Sequence, residues 1–227
     1  MGELTAEQLE ELRAIDSPTI ANAIEKFEVR DPTEGYASMK LRCLFPDLPP
    51  VVGYAVTCTV DSTRPGKGDP THYPKLLRAI DAASKPAVVV MKDIGPSPQR
   101  SCHAGDVIAS ILQRLGVAAV VTDGGVRDLV GVRRRAPGFQ MFAPGEVVSH
   151  GTPSLVEVGM TVSIYGLRVR PGDILHGDAN GLVTIPRAIA GAVAAAAREV
   201  WQKESEIIDS LKDPDFTLES HIRKYWS

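Results

Sequence analysis

Two short runs, Ala87-Val88-Val89-Val90-Met91 and Val117-Ala118-Ala119-Val120-Val121, are apolar at every position. A strand with one wet face alternates; a strand apolar on both faces is covered on both, as in a parallel sheet. Between the runs, Asp106 to Leu115 places its apolar residues at helical spacing. Strand, helix and strand then form a right-handed βαβ unit, so the chain is α/β. The 227 residues suffice for one large domain or two small ones. No stretch has the composition of a linker, and the expectation is a single domain over 1–227.

The other elements follow from periodicity and punctuation. Leu9, Leu12 and Ile15 mark a first helix. Ser17 reads as the cap of a second helix, with Pro18 in its first turn and Ile20, Ala21, Ala23, Ile24 and Phe27 along it. The N-terminal helices thus occupy about 5–27. Val51 to Val60 reads as a strand with Val52, Tyr54, Val56, Cys58 and Val60 on one face. Leu76 to Ala83 is a short helix, Arg127 to Val132 starts another, and Gln140 to Ala143 is a short strand. From Val158 to Ile185 the texture is antiparallel: Met160–Ile164, Leu167–Val169, Asp173–His176 and Leu182–Ile185, separated by Gly and Pro turns. Pro186 opens a long Ala-rich helix, Arg187 to about Leu211, which Asp213-Pro214 breaks. The C-terminal helical extension is therefore about 187–227.

Charge and cysteine usage exclude several classes. Lys plus Arg number 25 against 28 Asp plus Glu, a net charge of -3. Nucleic-acid binders usually carry a basic excess, so nucleic acid is not an expected partner. No apolar run reaches the roughly 20 residues that span a bilayer, so neither is a membrane. The first residues are acidic where a signal peptide would be basic, and the cytoplasm is the default location. Three cysteines without a C-x-x-C pair argue against a disulfide scaffold or a zinc ribbon. The 61–70 loop contains Gly-Lys but lacks the spacing that cradles phosphates, and it reads as a mobile loop.

Two clusters carry chemistry. Thr122-Asp123-Gly124-Gly125-Val126-Arg127-Asp128 follows the second buried strand directly, and ligands of α/β sheets gather at the carboxyl ends of strands. Arg127 offers a planar fork for a carboxylate or phosphate. Asp123 and Asp128 offer hard oxygens for a magnesium-like cation. Taken alone, the heptapeptide reads first as a turn with a surface Arg–Asp pair. Cys102-His103-Ala104-Gly105-Asp106 precedes a helix whose first-turn N–H groups suit an anion. Asp106 also simply suits the helix dipole. A Cys102–His103 nucleophile pair is disfavoured, because adjacent side chains rarely face each other and no third orienting group is evident.

Twenty residues lie between Asp106 and Arg127, and Asp128 follows at once. This Asp-x20-Arg-Asp pattern resembles the signature of the family of 4-hydroxy-4-methyl-2-oxoglutarate aldolases and RraA-type regulators of ribonuclease activity. Ser17 to Ala23 resembles the family's N-terminal helix, and Val52 to Thr57 its first core strand. Gly116 to Asp128 is the longest match; Pro171-Gly172-Asp173 and Gly177 to Pro186 complete it. Ser84-Lys85-Pro86 and Pro144 depart from the pattern, and the segments 61–70 and 94–100 have no counterpart in it.

The resemblance implies a layered α/β/β/α sandwich of the swivelling β/β/α type, assembled as a homotrimer or homohexamer with its site between subunits. It implies a metal-dependent lyase that cleaves 4-hydroxy-2-oxo acids to pyruvate through an enolate, with oxaloacetate decarboxylation as a companion activity. Asp128 would hold Mg²⁺ or Mn²⁺. Arg127 and the backbone around Gly105, Asp106, Val107 and Ile108 would grip a small 2-oxo acid, and Asp106 would bind a metal-linked water or help move a proton. Glu204, on the last helix, would complete the cleft of a neighbouring subunit, although Glu199 and Glu206 lie near it on what is otherwise a solvated face. The alternative is a non-catalytic regulator that binds a ribonuclease; the length of chain after Pro186 favours the enzyme. Among other residues, His176 reads as a hydrogen-bonded structural histidine, and Asp173 and Asp178 as turn caps. Arg133-Arg134-Arg135 reads as a solvated helix end. His150 and His72 lie in loops, where contact with substrate is open but surface placement is the ordinary reading.

Overall fold

The computed structural model describes residues 3–65 and 72–226, so residues 66–71 of the loop expected to be mobile lie outside it. In chain order the elements are α1 (Ala6–Arg13), α2 (Ser17–Glu25), β1 (Arg42–Cys43), β2 (Val51–Asp61), α3 (His72–Ala82), β3 (Ala87–Asp93), a 3-10 turn (Pro98–Arg100), β4 (Cys102–Ala104), α4 (Asp106–Arg114), β5 (Val117–Thr122), β6 (Gly125–Val126), α5 (Leu129–Arg135), β7 (Gln140–Ala143), β8 (Ser154–Val158), β9 (Val162–Ile164), β10 (Leu167–Val169), β11 (Ile174–Asp178), β12 (Gly181–Ile185), α6 (Ala190–Ser210) and α7 (Leu218–Tyr225).

Local chemistry explains the helix starts. Thr5 and Gln8 form a capping box for α1. Asp16, not Ser17, caps α2, accepting from Thr19 N at 2.9 Å. The carboxylate reaches the free N–H of the first turn, and Ser17 is left inside the helix with Pro18 beside it. The long helix begins at Ala190 rather than Arg187. Arg187 is held in the preceding turn, where its Nε donates to Gly172 O (2.9 Å) and its guanidinium lies over the Tyr54 ring. A last helix, α7, follows the expected break and has its own capping box at Thr217 and Ser220.

The main sheet runs β1-β7-β5-β3-β2-β11-β12, with β8 also pairing β2. Strands β2, β3, β5 and β7 are parallel neighbours, and the β3-α4-β5 unit is the expected parallel crossover. β11 pairs antiparallel with β2 on one side and with β12 on the other. All eleven residues of β2 are buried, not only the expected alternating face. The reason is that both of its faces are covered. Val52 and Tyr54 pack in one cluster with α1, α2 and α6. Val56, Cys58 and Val60 pack in a second cluster, where Leu76, Ile80, Leu112 and Val132 of α3, α4 and α5 meet the sheet. The residues of opposite parity, Val51 and Ala55, join a third cluster under the β9–β10 hairpin, with Ile164, Leu167 and Val169. Helices, sheet and hairpin thus form the expected layered mixed α/β fold with a long C-terminal helix. Among the described residues, no helix is long and apolar enough to cross a membrane.

His176 fulfils its structural reading. Its Nδ1 lies 2.9 Å from Ser17 Oγ and its Nε2 3.0 Å from Leu12 O, which fastens α1 and α2 to β11. Burial pushes its pKa below the ordinary value, and the nearby carbonyls and Asp178 only partly oppose this. Asp178 caps more widely than a local turn, since it accepts from both Ser17 N and Asn180 N (2.8 Å each). Asp173 caps its own turn through Arg170 N (2.8 Å).

Candidate active site

The two chemistry-bearing clusters meet because they form adjacent strands. β4 and β6 pair in parallel, with Cys102 opposite Gly125 and Ala104 opposite Val126. Arg127 N then donates to Ala104 O at 2.9 Å. That bond sets Arg127 and Asp128 against Gly105, which opens α4 without a side-chain cap. A methyl built on Gly105 would lie 2.8 Å from Asp128 Oδ2 and 3.2 Å from Arg127 Cγ, so the absence of a side chain at 105 is what admits the pair. Arg127 Nε lies 3.1 Å from Asp128 Oδ2, and both side chains stay partly exposed, at 35% and 41%. Asp128 adopts the left-handed backbone conformation (φ 60°, ψ 35°) at the start of α5. Asp tolerates that conformation better than most residues, and such strain gathers at functional sites.

Asp106 stands in the first turn of α4, where Arg135 of α5 pairs with its Oδ2. Gly131 lets α5 come close: a methyl there would lie 2.7 Å from the same oxygen. The Arg133-Arg134-Arg135 run is therefore more than a solvated end. Arg133 makes a fork to Asp47 (2.7 and 2.5 Å) and lies over the Phe45 ring.

Gly105, Asp106, Val107, Ile108, Arg127 and Asp128 all line one cavity of about 550 Å³. Its remaining wall comes from Val60, Tyr73, Pro74, Met91, Cys102, His103, Ala104, His150 and the Pro153–Leu155 segment. The sequence did not point to Val60, Tyr73, Met91 or Leu155 as wall residues, since each reads as ordinary core or helix. His150 does reach the cavity; the side chain of His72 lies outside the described residues. Glu204 is not in the wall. It is exposed on α6, 3.4 Å from Asn22 Nδ2 of α2.

Behind the cavity lies a buried polar network. His103 Nε2 is 2.9 Å from Asp93 Oδ2 and from Ser101 Oγ, and Nδ1 is 2.6 Å from Thr122 Oγ1. Burial raises the Asp93 carboxyl, but hydrogen bonds from His103 and Ser101 outweigh it and hold the group below the ordinary carboxylate range. An orienting acid for His103 therefore exists after all, at the polar end of β3. Cys102 does not share it; its thiol faces Ala104 O at 3.8 Å, and burial raises its pKa. The arrangement gives no Cys–His nucleophile. Lys92 pairs with Asp123 and is not among the cavity-lining residues. The segments without a family counterpart lie against each other, since a methyl built on Gly95 would lie 2.6 Å from Asp61 Oδ1 and from Thr63 Oγ1, and Ser62–Pro65 with Ser97, Gln99 and Arg100 contribute to a second cleft of about 690 Å³.

No group of three or more His, Cys, Asp or Glu residues gathers as a cage among the described residues. Magnesium, however, usually keeps several waters and takes only one or two carboxylates. The half-exposed Asp128 carboxylate, facing the cavity beside a side-chain-free Gly105, fits an ion of that kind.

The chain is similar to several known proteins. The chain is 25% identical over 150 residues to a protein of Halalkalibacterium halodurans whose name proposes a 4-hydroxy-4-methyl-2-oxoglutarate aldolase, covering 66% of this chain and 70% of that one. An uncharacterised protein from Pseudomonas syringae pv. tomato has a similar structure, with a TM-score of 0.74 at 22% identity, over 99% of this chain and 96% of that one. So does Streptomyces coelicolor RraAS2, described as an unusual member of the RNase ES inhibitor RraA family, with a TM-score of 0.67 at 22% identity, over 91% and 98%. The model of one family, RraA-like (Aldolase/RraA), matches residues 17–184, which hold both clusters and every strand of the main sheet except the last residue of β12. The chain belongs to the RraA-like family.

Proposed function

We propose that the protein is a divalent-metal-dependent carbon–carbon lyase that cleaves 4-hydroxy-2-oxo acids to pyruvate. The observation that carries this reading is the convergence of Gly105–Ile108, Arg127 and Asp128 on one cavity through the β4–β6 pairing. Cleavage leaves an electron pair on the carbon next to the oxo group, and the resulting enolate carries negative charge on its C2 oxygen. Arg127, with two donor N–H groups in a plane, meets that oxygen or the neighbouring carboxylate. The first-turn N–H groups of Asp106, Val107 and Ile108 have no helical partner and point outward for an anion. Asp106, held by Arg135, accepts or returns the proton. Asp128 would hold Mg²⁺ or Mn²⁺, which when bound supplies positive charge beside the same oxygen. Glu204 would enter from a neighbouring subunit of a trimer or hexamer, in keeping with its exposure on α6 away from the cavity wall of its own chain. Decarboxylation of oxaloacetate passes through the same enolate and belongs to the same proposal.

The test is pyruvate release from a panel of 4-hydroxy-2-oxo acids and oxaloacetate, with Mg²⁺ and with excess EDTA. Cleavage that needs the metal and leaves no covalent adduct on borohydride treatment is expected. A borohydride-trapped adduct, or full turnover in EDTA, would overturn the metal mechanism. A folded protein inactive on the whole panel would move the reading to a non-catalytic, ribonuclease-binding role.

A further inference from the structure

The β4–β6 ribbon that unites the site is a separate two-stranded sheet, outside the main one. Its placement decides where Gly105, Arg127 and Asp128 meet. His103, at the centre of β4, carries the ribbon's link to the main sheet. Its imidazole reaches the carboxyl ends of two parallel strands at once. Nε2 lies 2.9 Å from Oδ2 of Asp93, the last residue of β3, and Nδ1 lies 2.6 Å from Oγ1 of Thr122, the last residue of β5. A methyl built on Gly124 would lie 2.9 Å from the ring, so that glycine leaves the space the imidazole fills. Beside it, Cys102 N donates to Ser62 Oγ at 2.9 Å, which ties β4 to the residue after β2.

The hydrogen bonds have one consistent assignment. Ionised Asp93 only accepts, so Nε2 carries the hydrogen and Nδ1 is the acceptor. Thr122 Oγ1 accepts from Gly124 N at 3.0 Å, which leaves its own hydrogen for Nδ1. Ser101, 2.9 Å from Nε2, has a hydrogen for Asp93, and Ser62, 2.6 Å from Ser101 Oγ, donates to Ser101. The imidazole and the Asp93 carboxylate have no exposed surface, and Thr122 and Ser101 are fully buried. A buried polar network with its partners in place holds one geometry. A ring fixed at both nitrogens can neither slide nor turn.

We propose that His103 is a positioning residue, which sets the β4–α4 and β6–α5 junctions of the site through this two-ended clamp. It stands two residues before Gly105 and next to Ala104, whose carbonyl accepts from Arg127 N at 2.9 Å. Any shift of the ring therefore passes to the contact between Gly105 and the Arg127–Asp128 pair. The imidazole has no surface with which to touch a ligand, so it acts through these neighbours. The inference deepens the lyase reading and rests on it for what the two junctions do.

Hydrogen exchange at single amides reads position without turnover, and pyruvate release reads its consequence. Thr122→Val keeps the side-chain shape but takes the hydroxyl from His103 Nδ1 and from Gly124 N. Thr57→Val is the matched control: Thr57 is as deeply buried, its hydroxyl donates to Met160 O, and it is not among the cavity-lining residues. In Thr122→Val the amides of Gly125 and Arg127, bonded to Ser101 O and Ala104 O, should exchange roughly tenfold faster. With them, kcat/KM for pyruvate release should fall by about tenfold or more. In Thr57→Val both quantities should stay within about twofold of the unsubstituted protein, as expected for a hydrogen bond remote from the site. Asp93→Asn keeps the volume but turns one accepting oxygen into a donor, and it should repeat the Thr122→Val pattern if that variant does not fold. Loss of fold in both, seen in thermal melts, would make the network a support of the whole chain and overturn the proposal. Unchanged exchange at Gly125 and Arg127, equal loosening in the control, or loosened amides with normal kcat/KM would each overturn it while the lyase reading stands. If the unsubstituted protein releases no pyruvate from any acid of the panel, the lyase reading fails, and the exchange rates alone decide the clamp.

Discussion

Replacing Gly105 by alanine is the sharpest perturbation of the site, because it adds one methyl and touches little else. The backbone at Gly105 is extended (φ -139°, ψ -165°), which alanine adopts freely. Loss of glycine's freedom in the unfolded chain favours the variant by about 0.4–1 kcal/mol. Against this, the new carbon would lie 2.8 Å from Asp128 Oδ2. Carbon contacts settle at about 3.5 Å or more, so the carboxylate must retreat by roughly 0.7 Å. Asp128 cannot yield by an easy backbone rotation, since it already sits in the left-handed region and its carbonyl accepts from Val132 N at 2.8 Å. The side chain yields instead, and the Arg127–Asp128 pair moves with it. Displacement on this scale costs about 10²-fold in a reaction that depends on placement, so kcat/KM for pyruvate release should fall by roughly 30- to 100-fold. The gain and the clash should leave net stability within about 1 kcal/mol, or roughly 2–4 °C in Tm for a chain of this size. Steady-state kinetics and a thermal melt are read on the same preparation. Activity within twofold of the unsubstituted protein would refute the role given to this contact. A Tm loss beyond about 8 °C would show that the contact holds the fold and not the site alone.

Other substitutions probe the remaining parts. Arg127→Lys keeps the charge but not the fork, and kcat/KM should drop by about 2–4 kcal/mol of transition-state stabilisation; near-normal kinetics would place Arg127 outside the reaction. Mixing inactive Asp128→Ala and Glu204→Ala proteins after dissociation should restore partial activity, because some interfaces of a mixed ring carry neither substitution. No recovery, with mixed rings confirmed by mass spectrometry, would remove Glu204 from the neighbouring site. His176 is neutral in the fold because burial depresses its pKa, so the unfolded chain binds the extra proton first. Stability should therefore fall as pH drops below the unfolded value of about 6.5 and continue falling to the lower folded value. His176→Gln should remove that part of the pH dependence, and denaturant melts from pH 8 to 5 check it; identical slopes in the two proteins would show that another group is responsible.

The sequence exposed the parts of the fold that depend on short-range pattern. The β3-α4-β5 unit, β7 and the β9–β12 segments are visible because apolar runs and Gly or Pro turns bracket them. Strands of two or three residues, β1, β4 and β6, are too short to show a period. Yet the β4–β6 pairing is what unites the two site clusters, so their union was legible only through resemblance. Asp93 shows no local signal, and Arg135 reads only as part of a solvated helix end, for a related reason. Each acts across a tertiary contact, on His103 and Asp106, that no local spacing announces. The cap of α2 shows the limit at single-residue scale, since Asp16 and Ser17 are both good caps and only the chain direction into the helix decides between them.

The eleven-residue β2 strand has a bearing on which parts of the molecule open first. One half of it pairs with β11 and the other with β3 and β8, and its side chains enter all three apolar clusters. Neither helical group can detach without stripping cover from this ribbon. Its amides should exchange with solvent hydrogen only when the whole molecule unfolds, whereas those of the edge strands β1 and β12 exchange through smaller openings. Val60 of the cavity wall lies on that slow-exchanging strand. Arg127 and Asp128 follow the two-residue β6 at the start of a seven-residue helix, so a local opening should release them while Val60 stays in place.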